Sequence, residues 1–178
     1  MKIQGIRSNE FLPRAIQFYM WLWVIYENKR RFVYNLFHKS KKEYLAHQET
    51  CNHWSVTIGN MEYEAIGKGV VMRPYSIKNH KYVKEWEVPI DNPMVVLNYL
   101  NEQVNKGYEY FNFVFHILKI FGFRWMGSYN DNRLSCIELV NRALQVAKIE
   151  GFNKFDNPYE TQVKLDMMFE GVVLKDIR

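Results

Sequence analysis

The stretch HWSVTIGNMEYEAI, residues 53–66, decides how this chain folds. Two β-rich runs flank Gly59-Asn60, a pair suited to a two-residue hairpin turn. That turn sets the register. Ile58 faces Met61, Thr57 faces Glu62, Val56 faces Tyr63 and Ser55 faces Glu64. Alternation then places His53, Ser55 and Thr57 on one face, with Glu62 and Glu64 on the same face of the next strand. His53 becomes the diagonal neighbour of Glu64, roughly 7–8 Å away at the backbone and within reach of long side chains. A carboxylate can orient an imidazole from there, which is the base-plus-orienter half of a catalytic triad.

A second stretch, DNRLSCIELVNRAL (131–144), offers the other half. Ser135 and Glu138 have capping-box spacing, so Ser135 reads as N-cap and Cys136 as the first helical residue. The free N–H groups and positive end of a helix favour thiolate, the nucleophilic form of cysteine. Leu139, Val140, Ala143, Leu144 and Ala147 form one apolar stripe with Cys136 at its N-terminal end. The thiol therefore points toward whatever the helix packs on. If that is the sheet carrying His53, a Cys–His–Glu site forms, and the Cys136 N–H can help bind an oxyanion. Taken singly, Cys136 reads as a small core residue, His53 as a structural histidine, and Glu62 and Glu64 as solvated strand residues.

Around these stretches the pattern is mixed. KIQGIRS reads as a short first strand. NEFLPRAIQFYMWLWVIYENKRRFVYNLFHK reads as helix in two pieces, with Pro13 in a first turn. Its apolar wall from Ile16 to Ile25 fits burial first and a lipid-facing surface second. Residues 38–50 read as a loop or frayed helix end. GKGVVMRPY and KYVKEWEVPI read as strands. Asn92-Pro93 opens a helix that Gly107 stops, and YEYFNFVFHILKIFGF reads as helical. The Cys136 helix runs to about Glu150, with Gly151 as terminator. NPYETQVKLDMMF reads as a short turn, and EGVVLKDI as a last strand. The expectation is a single α+β domain over 1–178, with an antiparallel sheet packed against helices.

Composition narrows the function. The net charge is +5, and residues 28–42 hold Lys29, Arg30, Arg31, Lys39, Lys41 and Lys42 with no acid. That is either a solvated basic face or a contact for an anionic lipid or cell-wall polymer. No nucleic-acid motif is present. HQETCNH brings His47, Cys51 and His53 together, but no second pair with zinc-finger spacing follows, so no metal is expected. Two cysteines make no disulfide framework. MKIQGIRSNE is no signal peptide, the run AIQFYMWLWVIY is too short to span a bilayer, and the default compartment is a reducing cytoplasm.

Five pieces stand in one order: GIRSNEFLPRAIQF (5–18), NHWSVTIGN (52–60), YEAIGKGVV (63–71), GYEYFNF (107–113) and SCIELVNRAL (135–144). This ordered set resembles the circularly permuted NlpC/P60 papain-like cysteine hydrolases, the YiiX/YebB/YycO-like group, over nearly the whole chain. The resemblance implies a permuted papain-like fold. It matches Cys136 to the nucleophile, His53 to the base and Glu64 to the polar third member, and Tyr108 and Tyr110 to the aromatic segment lining the cleft. It implies hydrolysis of an amide, a peptidoglycan stem peptide or related acyl-amide, without a cofactor. Residues 27–50 read as a basic, aromatic insertion. His53-Trp54 also resembles the lecithin retinol acyltransferase-like branch, although SCIEL stands where that branch carries NCEHF. A lipid acyltransferase or thioesterase is thus the second expectation, and a non-catalytic interaction protein keeping the fold is the third.

Overall fold

A computed structural model describes residues 1–7, 11–37, 51–76, 82–109, 132–154 and 156–176. Six strands build one antiparallel sheet: β1 (Lys2–Arg7), β2 (His53–Ile58), β3 (Met61–Ile66), β4 (Gly69–Pro74), β5 (Tyr82–Glu87) and β8 (Gly171–Asp176). Their spatial order is β4-β3-β2-β1-β5-β8. A second, two-stranded sheet pairs β6 (Gly107–Tyr108) in parallel with β7 (Arg133–Leu134). The helices are α1 (Phe11–Phe37), α2 (Pro93–Gln103), α3 (Cys136–Val146) and α4 (Pro158–Met168). The molecule is α+β, with helices packed on an antiparallel sheet.

The β2–β3 hairpin has the register that a two-residue turn dictates, with Ser55 opposite Glu64 and Ile58 opposite Met61. Gly59 adopts φ +60, and Asn60 is not among the residues of positive φ. Positive φ at the first central residue marks the turn that needs glycine there and matches the twist of the flanking strands. β2 is buried on both faces: Trp54 and Val56 on one, Ser55 and Thr57 on the other.

The apolar face is the core. Trp54 stacks on Trp86 of β5, with ring centroids 5.5 Å apart and planes 13° from parallel. Val56, Tyr63 and Ala65 join them, and Leu139, Val140, Ala143 and Leu144 of α3 complete the cluster. Each fully buried leucine contributes about 1.5–3 kcal/mol of apolar transfer free energy. Cys51, just before β2, packs so tightly on Gly5 that a Cβ there would approach its sulfur to 2.5 Å. Asn92 caps α2 by accepting from the Val95 N–H, Pro93 occupies its first turn, and the Tyr63 hydroxyl donates to Asn101 at 2.8 Å.

Four local readings change. Residues 158–168 form a helix where a short turn is expected. Asn157 and Glu160 make a reciprocal capping box, at 2.9 and 3.0 Å. The helix escapes a hydrophobic-periodicity search because its inward face is partly polar: Thr161 donates to Asn141, and Gln162 accepts from the Cys51 N–H. α1 is one continuous helix rather than two pieces. The polar ENKRR break is bridged internally by Glu27, which takes Arg30 at 2.7 Å and Arg31 at 3.4 Å. Residues 27–37, the start of the expected insertion, thus simply continue α1. α1 is also not buried all round. Val24 and Glu27 are buried, while Phe18, Trp21 and Ile25 are exposed. Finally, α2 and α3 stop before their glycines, where Asn105 (φ 70) and Lys148 (φ 59) turn the chain.

Among the described residues no helix is long and apolar enough to cross a membrane. Tyr110, His47, nearly all of the aromatic segment 108–123, and Lys39, Lys41 and Lys42 lie outside the described residues.

Candidate active site

α3 starts where the sequence places its cap. The Ser135 hydroxyl accepts from the Glu138 N–H at 3.3 Å, and the Ser135 backbone also favours the charged Glu138 carboxylate. Glu138 also takes Arg142 at 2.7 Å. Burial pushes the Glu138 carboxyl up, and these two partners oppose that shift without cancelling it. The first helical residue is therefore Cys136, whose N–H belongs to the helix's first turn and has no acceptor within the helix.

α3 packs on β2 and β3. Cys136 is the first residue of its helix and His53 the first of its strand, so the two side chains meet at the ends of their elements. The His53 Nε2 lies 2.8 Å from Glu64 Oε2. The same ring is hydrogen-bonded to the Cys136 side chain. Burial works against a charged His53 ring. Cys136 and Glu64, through hydrogen bonds and negative charge, outweigh it and push the imidazole from 6.5 up to about 10. The structure thus brings Cys136, His53 and Glu64 into one contiguous chain. The three are little exposed: Cys136 at 3 %, and the His53 and Glu64 side chains at 13 % and 2 %.

Tyr108 is part of the buried cluster that also contains Cys136. It stands on the strand β6, paired with β7 immediately before the Ser135 cap.

Sequence reasoning missed what lies behind Glu64. Arg73 of β4 reaches Glu64 Oε1 at 2.9 Å through one terminal nitrogen and Glu62 Oε2 at 3.1 Å through Nε. Ser55 donates its one hydroxyl proton to Glu62 at 2.8 Å and lies 3.1 Å from the Gln4 Oε1, to which Thr57 donates at 3.1 Å. Gln4 donates in turn to Glu85, which also pairs with Lys2 at 2.7 Å. A continuous polar network therefore crosses five strands, from β4 to β5, under the imidazole. Part of it was countable: a two-residue turn at Gly67-Lys68 puts Arg73 opposite Glu62. The Gln4 and Glu85 contributions depend on β1 lying between β2 and β5, which no local pattern encodes.

Among the described residues no group of three or more His, Cys, Asp or Glu side chains is placed to hold a metal ion. A separate cavity lined by Glu85, Glu87, Met168, Phe169, Glu170 and Val172 lies at the β5–β8 side of the sheet. It offers three carboxylates but neither thiol nor imidazole. The chain matches no protein-family model, no curated protein and no solved structure.

Proposed function

We propose that this protein is a cysteine hydrolase of amide bonds, working through Cys136, His53 and Glu64 on a permuted papain-like framework. One observation carries the reading: a single imidazole is hydrogen-bonded to a helix-N-terminal thiol on one side and to a buried carboxylate on the other. Glu64 orients the ring and favours its charged form. His53 takes the thiol proton, and the Cys136 sulfur attacks the carbonyl carbon. The oxyanion is met by the N–H groups at the start of α3. As the C–N bond breaks, the imidazolium returns its proton to the leaving amine, leaving a thioester. Water, deprotonated by His53, then splits the thioester and regenerates the thiol. No cofactor is required. By the resemblance in its ordered motifs, the substrate class is a peptidoglycan stem peptide or a related acyl-amide.

Muropeptide turnover by the full chain tests this. Cys136→Ala should lose essentially all turnover with an unchanged circular dichroism spectrum. Full activity in that variant ends the hydrolase reading. A pH series with iodoacetamide separates catalysis from a purely structural role. An activated thiol is alkylated well below the ordinary cysteine range of about 8.5, whereas a structural one stays inert.

A lipid acyltransferase or thioesterase is the second reading, and the exposed aromatic residues of α1 favour it. Trp54 of the His53-Trp54 pair adds nothing to it, being occupied in the core against Trp86. Acyl release from phospholipid, with no cleavage of muropeptides, would select this alternative.

A further inference from the structure

α1 is amphipathic in the inverted sense. At 100° per residue, Phe18, Trp21, Ile25, Phe32 and Leu36 fall on one stripe, and all five are exposed, Phe18 at 61 % and Leu36 at 64 %. The inward side carries buried Val24 and Glu27, and Trp23 makes a tilted ring contact with Tyr159 of α4, centroids 5.2 Å apart. The Glu27 carboxylate thus faces inward, held by Arg31 and the half-exposed Arg30, while Phe18, Trp21 and Phe32 face outward. Isolated exposed apolar side chains are ordinary, but a contiguous stripe along a helix marks a contact surface.

Charge identifies the occupant. Glu27 is the sole acid in α1, against Arg14, Lys29, Arg30 and Arg31. Lys29 falls inside the apolar stripe and is exposed. Pairing with a second copy would bury that ammonium against another cationic helix, whereas at a lipid surface it extends to a headgroup phosphate while its stem stays among the acyl chains. The absence of a membrane-crossing helix among the described residues is compatible with a helix lying in the interfacial plane. We infer that α1 docks on an anionic lipid surface, with the Phe18–Leu36 stripe at the headgroup–acyl boundary and Lys29 on phosphate. This inference stands apart from the thiol chemistry.

Flotation of the full chain with vesicles tests it. The chain should float with phosphatidylcholine vesicles containing about one-third phosphatidylglycerol, should float poorly with phosphatidylcholine alone, and should lose binding as salt screens the charges. Phe18→Ser with Phe32→Ser should cut binding at least tenfold with the fold retained, because both side chains are exposed. Lys29→Glu, which removes no apolar area, should weaken it about fivefold or more. Cys136→Ala should bind like the unaltered chain. The inference fails if the chain floats with neither vesicle, floats equally with both, or keeps its binding in the variants. It also fails if the stripe instead holds a dimer in sedimentation that the serine variant dissociates.

Discussion

On one face of the sheet Trp54, Val56, Tyr63 and Trp86 are almost completely buried; on the other, Gln4, Ser55, Glu62 and Glu64 are buried just as deeply. The two faces differ by a one-residue offset along the same strands. The first is held by packing, in which each contact is weak, non-directional and replaceable in part. The second is held by directional hydrogen bonds and ion pairs between specific partners, several of them shared. Loss of one partner leaves another buried and unsatisfied, which costs more than the bond itself contributed. The lesson is that the apolar face sets whether the chain folds, while the polar face sets what His53 can do.

The sharpest way to break that division is to damage the apolar face alone. Trp54→Ala should cost about 3–5 kcal/mol, as expected for deleting a large core aromatic. Urea unfolding measures this. While the variant is folded, the 2.8 Å contact of His53 with Glu64 should persist, because Glu64 lies on the opposite face, and His53 should keep the part of its raised pKa that Glu64 supplies; Cys136, which shares the apolar cluster with Trp54, is the partner this variant can disturb.

Glu64→Gln does the reverse. It keeps the shape of the side chain and removes the charge that favours the imidazolium. The His53 pKa should fall from about 10 toward its ordinary 6.5, as read by imidazole proton chemical shifts, and turnover should drop about a hundredfold or more. A linked stability effect follows. The folded-state pKa of His53 is raised, so the folded protein holds a proton that the unfolded chain releases between about 6.5 and 10. The ring's contribution is complete below the lower value and disappears as pH climbs through the upper one. Urea midpoints across this window should decline in the unaltered protein and decline less in the glutamine variant.

The smallest effect belongs to Arg73→Met. Arg73 is 44 % exposed, so solvent screens its pairs, but Glu62 and Glu64 behind it are buried and lose their counter-charge, and the stability loss should be about 2 kcal/mol. Its influence on the site is opposite in sign to that of Glu64→Gln. Without the guanidinium, the negative charge of Glu64 acts on His53 less opposed, and the imidazole pKa should rise rather than fall. A fall would mean that Arg73 acts by positioning Glu64 rather than by its charge.

Much of this could be read locally. The Gly59-Asn60 turn gives the Ser55–Glu64 pairing, and pairing plus alternation puts His53 beside Glu64, because strand geometry has a period of two and no freedom once the turn is set. Ser135 and Glu138 place Cys136 at a helix start for an equally local reason. α4 was hidden because its inward positions Thr161 and Gln162 are polar, so hydrophobicity does not mark the buried side. Its Asn157–Glu160 cap was nonetheless present in the sequence.

Both halves of the candidate site are legible in local sequence, since each is assembled from residues within a dozen positions of one another and is governed by backbone geometry. That the two halves meet follows from long-range packing. Cys136 and His53 are brought together by the docking of α3 on β2 and β3 through Leu139, Val140 and Ala143. The network behind Glu64 likewise exists because β1 inserts between β2 and β5. The outward face of α1 belongs to the same class: an apolar run reads alike whether it turns toward the core or away from it, and only the packing of Trp23 and Val24 inward left Phe18 and Trp21 facing out.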